Sequence, residues 1–159
     1  MRYRQVVSLL AAPRQLLDRP RRILYTPPRV VRMSNEFDEV GKAQYVSLTT
    51  FRKDGTPVAT PLWAALDGKQ LLIWTVTDSW KVKRIKRNAD VTIQACDIRG
   101  KLKGDTVVKG HAVLLDSKAT EHARSVIQKK YGIMGFLTMK ASLLRRGKDG
   151  TIGIAVTEA

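Results

Sequence analysis

Five of the seven residues from Lys81 to Arg87 are Lys or Arg, and only Val82 and Ile85 are apolar. An i, i+3 apolar pair shares one helical face, so the segment reads as a basic helix docked by those two side chains. Upstream, either Asp78 or Ser79 can cap the helix by accepting a backbone N–H. The first turn then presents free N–H groups beside Lys81 and Lys83, an anion site built from backbone and side chain together. Phosphate is its natural ligand. The alternative is a solvated basic face with no ligand.

Other reactive groups are sparse. The single cysteine, Cys96, sits in the apolar run VTIQAC and reads as a small strand residue rather than a nucleophile. His111 alternates with apolar neighbours and reads as a structural, hydrogen-bonded residue; His122 reads as surface. One Cys and two His make no metal set. No Ser-His-Asp or paired-carboxylate pattern can be assembled. Trp63 and Trp74 fit either a barrel core or the wall beside a ring-shaped cofactor. Trp80 fits a dimer contact or a cofactor edge.

The elements that would position these groups are mostly strands. A short helix over 36–43 leads into YVSLTTF (45–51), and the Asp54-Gly55 turn returns the chain as VATPLWAAL (58–66). Asp67-Gly68 turns it again into QLLIWTV (70–76). After the basic helix come VTIQACD (91–97), a polar loop, and TVVKGHAVLLD (106–116). A helix over roughly 117–131 capped by Ser117, a second over 133–145, and a last strand TIGIAVT (151–157) complete the chain. Pro61 cannot donate to a ladder, so the second strand should be an edge or bulged there. The pattern predicts a mainly β, α+β fold: a small closed six-stranded barrel with short helices.

The formal net charge is +15, which favours acidic partners: nucleic acid, anionic lipid or a polyanionic small molecule. Aromatic residues are only 6% and are not interleaved with the basic run, which argues against specific nucleic-acid binding. With one cysteine no intrachain disulfide forms, and a reducing cytoplasm fits. Residues 1–32 differ from the rest, with eight Arg, no Lys and one Asp. This basic N-terminal extension reads as an arm on a partner subunit, as a peripheral membrane anchor, or as residues preceding a natural start at Met33. Residues 33–159 read as the folded domain.

The ordered segments LTTFRKDGTPVATPLW, LLIWTVTDSWKVKRIKRNADVTI and VVKGHAVLLD resemble the pyridoxamine-phosphate-oxidase-like split β-barrel proteins, over about residues 37–157. The chain looks most like the actinobacterial branch of F420-dependent enzymes. The resemblance implies an FMN-binding split barrel fold, a homodimer, and a cofactor groove at the dimer interface. It implies cofactor contacts from Trp74, Thr75, Ser79, Lys81 and Lys83 at the turn, and from Thr60, Pro61, Leu62 and Trp63 along the second strand. FMN-using oxidases of the family carry an Arg and, five residues on, a Lys in that strand; Val58 and Trp63 stand there in this chain. That departure weakens the FMN reading and leaves room for a deazaflavin, coenzyme F420, with FMN kept as the alternative. Coenzyme F420 is a polyanion, which suits the basic helix. The implied function is an F420-dependent reductase passing a hydride to a small conjugated or quinone-like acceptor. The alternatives are an FMN-binding oxidoreductase of the same fold and a non-catalytic F420 carrier.

Overall fold

The computed structural model describes residues 34–159; the arm, anchor and start-site readings of residues 1–32 lie outside the described residues. The helix expected first is α1 (Asn35–Lys42), capped by the Ser34 hydroxyl, which accepts from the Phe37 N–H at 3.1 Å. Strands β1 (Tyr45–Phe51), β2 (Pro57–Leu62), β3 (Ala64–Asp67) and β4 (Gln70–Val76) follow. Helix α2 (Trp80–Arg87) leads to β5 (Asp90–Cys96), β6 (Leu102–Leu114), α3 (Ser117–Arg146) and β7 (Thr151–Glu158).

All pairings are antiparallel, in one sheet of order β2-β1-β5-β6-β7-β4-β3. Among the described residues the strands number seven, not six. The run VATPLWAAL breaks at Trp63, so its first part pairs with β1 and its second with β4, at opposite edges of the sheet. Pro61 therefore lies in an edge strand, the place in a sheet where proline is tolerated.

Period-2 alternation sorts the strands into two faces. Val46, Leu48, Leu71, Ile73, Ile93, Val108 and Val156 point into the barrel. Phe37 and Val40 of α1 and Ile85 of α2 pack into the same core. On the other side of β3, β4 and β7, α3 buries Ala123 and Ile127 against Ala65, Leu72 and Ala155.

Two boundaries differ from expectation. The segment expected as a polar loop ends early, because the Asp97 carboxylate accepts from the Arg99 and Lys101 N–H groups and closes a tight turn. The chain is therefore already paired at Leu102, opposite Cys96. Helix α3 is capped by Asp116 rather than Ser117; its carboxylate accepts from the Ala119 N–H at 2.7 Å. The expected division of the late helix is present, since Gly132 leaves helical geometry at φ 58°, a region glycine enters without a Cβ clash. Among the described residues no helix is long and apolar enough to cross a membrane.

Candidate functional site

Helix α2 forms as its sequence dictates, with Val82 and Ile85 buried and the cations around them. Its N-terminus is unusual. Ser79 occupies the cap position, yet its hydroxyl makes no cap bond. That oxygen is buried and has no hydrogen-bond partner among the described residues. Asp78, the other candidate cap, turns away to pair with Lys83 at 2.8 Å. The first-turn N–H groups of α2 are thus left without a side-chain acceptor, and a buried hydroxyl stands beside them unused. An orphaned buried polar group costs about 1–3 kcal/mol, which a ligand bond can recover.

Lys81 adds charge to this opening. Its ammonium is half-buried and donates to a neutral partner, the Thr75 hydroxyl, at 3.1 Å. Burial, and then the neighbouring Arg84 guanidinium, lower its pKa from the ordinary 10.5. Arg84 in turn donates through Nε to the Thr50 hydroxyl at 2.8 Å and feels Arg52 and Arg87. Among the described residues no carboxylate lies within ion-pair distance of Lys81, Arg84, Arg52 or Arg87. Arg52, Lys53, Trp80, Arg84 and Arg87 line a cleft of about 350 Å³. Uncompensated cations around a partly dry opening favour an anion.

The residues named by resemblance are not all brought together. Lys81 reaches Thr75 at the N-terminal end of α2, where Ser79 is the cap residue. Lys83 is held by Asp78 and lies 5.0 Å over the exposed Trp80 ring, so its charge is already compensated. Thr60 and Leu62 face the barrel side of β2, opposite Leu48 and Val46. Pro61 faces the other way, opposite Ser47. Trp74 neighbours Thr75 in sequence but projects to the opposite face of β4. It packs under α3 with Trp63, Ala65 and Ile127. Trp63 is stacked on Tyr131, with ring centroids 4.6 Å apart. Both tryptophans thus serve the α3 packing layer, although the buried Trp74 indole N–H has no partner.

Sequence reasoning missed Arg52 and Lys53. They sit at the tip of the β1–β2 hairpin, some thirty residues before α2, and no local pattern ties the two. Each histidine has an aspartate that sequence spacing did not reveal: His111 with Asp90 at 3.6 Å and His122 with Asp67 at 2.8 Å, all but Asp67 largely exposed. Cys96 is buried, and burial raises its thiol pKa, as a packing residue requires.

Comparison with known proteins places the whole arrangement. Residues 33–155 match the family model for pyridoxamine 5'-phosphate oxidase. The chain belongs to that family. Solved structures agree on the fold of this family member. An F420 reductase is similar at 18% identity and a TM-score of 0.50, with 77% of this chain and 92% of that one covered. A conserved hypothetical protein of Mycobacterium tuberculosis is 19% identical with a TM-score of 0.59, covering 80% and 81%. The heme storage protein HutZ of Vibrio cholerae is 12% identical with a TM-score of 0.51, covering 80% and 91%. Among curated proteins, none matches this sequence. The same fold is thus shared with an F420 reductase and with a heme storage protein.

Proposed function

We propose that the protein is an F420-dependent oxidoreductase that binds the cofactor phosphate at the open N-terminus of α2. The reading is carried by one observation: at the N-terminus of α2, among the described residues, a buried Ser79 hydroxyl has no partner and a half-buried Lys81 has no counter-charge. A phosphate oxygen satisfies both, and the donor set of hydroxyl, ammonium and helix N–H groups suits it. The similarity to an F420 reductase supports the choice of cofactor.

In this reading Thr75, Ser79 and Lys81 fix the phosphate. Arg52, Lys53, Arg84 and Arg87 draw in the remaining negative charge of the cofactor and speed encounter. The reduced deazaflavin supplies the hydride, to a small conjugated or quinone-like acceptor. The chain's own work is binding, orientation and exclusion of water. Tyr131 is not free to deliver a proton, because its hydroxyl is engaged by Gln44 and Ala64. A second copy of the chain completes the groove in this proposal. The exposed Val107 and Val113 on the outer face of β6 supply apolar surface for that contact.

The heme storage neighbour supports a second reading, a binding protein without turnover. One titration separates the possibilities. The full chain is titrated with oxidised F420 and, separately, FMN, with cofactor fluorescence as the signal, then again as Lys81→Ala. Micromolar binding of F420, weakened roughly 10- to 100-fold by the substitution, is expected from the loss of one charge-assisted bond. Preference for FMN would move the protein to the flavin reading, and binding of neither would end the proposal. Bound F420 that no acceptor oxidises or reduces would favour the carrier.

A further inference from the structure

We propose that residues 133–146, the part of α3 beyond Gly132, form a docking face for an anionic lipid surface. This face is separate from the α2 opening and does not depend on the cofactor.

The helix is apolar on both sides. Gly135 and Met139 point into the protein and are buried. Ile133, Leu137 and Leu144, at i, i+4 and i+11, form a stripe on the opposite side. They are 78%, 57% and 88% exposed, and Met134 beside them is 67% exposed. Three large apolar side chains in water on one helix face, with Met134 flanking them, mark a surface that nothing among the described residues covers.

Charge selects the partner. Between Glu121 and Asp149 the chain has no acidic residue, while this part of the helix carries Lys140, Arg145 and Arg146. Lys140 lies on the apolar stripe itself, between Leu137 and Leu144, and its ammonium sits 4.8 Å over the Phe136 ring. A long cationic side chain lying along apolar surface can keep its charge at a headgroup while its stem joins the apolar layer. A second copy docked face to face would oppose these cations to themselves. An anionic bilayer offers an apolar layer to the stripe and negative headgroups to the cations. At about 21 Å the helix lies in the interface rather than spanning it.

The test uses the full chain carrying Leu144→Cys, labelled with an environment-sensitive dye. Cys96 is buried, and the unsubstituted chain taken through the same labelling gives the background. Vesicles of phosphatidylcholine are added with and without phosphatidylglycerol. The expected result is a blue shift with phosphatidylglycerol only, reversed by salt. Ile133→Glu with Leu137→Glu should weaken partitioning by at least about tenfold, and because both side chains are exposed the fold should survive. Lys140→Glu with Arg145→Glu should remove the preference for anionic vesicles. No shift on any vesicle overturns the proposal. So does a shift that depends on protein concentration without vesicles, which would mean that a second copy covers the face.

Discussion

Two lysines invite comparison. Lys81 and Lys130 both sit partly out of water, and burial lowers the pKa of each. Lys130 gives its ammonium to three backbone carbonyls, Gly41 at 2.9 Å, Ala43 at 2.8 Å and Ala64 at 2.7 Å. It ties α3 to the end of α1 and the start of β3. Among the described residues Lys81 has only the Thr75 hydroxyl. The first arrangement is complete and holds the fold together. The second leaves a partly buried cation with a neutral partner, which favours an anion nearby. Burial of a cation says little about function; the number of acceptors it has found says more.

The largest expected effect separates the two by stability. Lys130→Met takes a donor from three carbonyls, of which Ala64 keeps the Tyr131 hydroxyl, and should cost about 2–3 kcal/mol in denaturant unfolding. Lys81→Met should change the stability of the free protein by less than about 0.5 kcal/mol. Equal losses would erase the contrast. A smaller effect sharpens it. Ser79→Ala removes an oxygen that has no partner, so the free protein should be unchanged or up to about 1 kcal/mol more stable, while F420 binding weakens roughly fivefold. A clear loss of stability in the free protein would mean that the hydroxyl serves the fold.

The smallest effect is in pH. Lys81 has a lowered pKa in the folded protein, so the unfolded chain holds more protons in the interval up to the ordinary value of 10.5. Stability contributed by this group therefore rises as pH climbs through the folded value, and is complete above 10.5. Cofactor binding must run the other way, because a phosphate favours the protonated ammonium. The F420 affinity should fall as pH rises through the Lys81 value, and in Lys81→Met that slope should vanish. A slope that survives the substitution would assign the titration to another group.

Much of this was legible in the chain. Alternation gave β1 and β4 closely, because each has one face in the barrel core. The basic helix and its docking pair Val82 and Ile85 were local facts. The break at Trp63 was not, because PLWAAL runs apolar straight through it and the stacking of Tyr131 on Trp63 comes from sixty-eight residues later. The α2 opening was half legible. Ser79 and Asp78 both qualify as caps by residue type, and only the Asp78–Lys83 pair decides that neither side chain is used. Strand period could have separated Trp74 from Thr75, since adjacent strand residues face opposite ways. Arg52 and Lys53 join the site through pairing of distant segments, which no local window contains.

Residue 63 has a topological consequence. Strands β2 and β3 are the two outermost strands of the sheet, yet one residue joins them. The covalent chain itself is the seam of the cylinder, and its clearance is one amino acid. Lengthening that seam with a few glycines would leave every ladder intact while allowing the cylinder to unroll. Moving the chain termini to this point would turn a ring into a ribbon. The curvature of the barrel is thus held at a single peptide link, with the Tyr131 ring pressed against it.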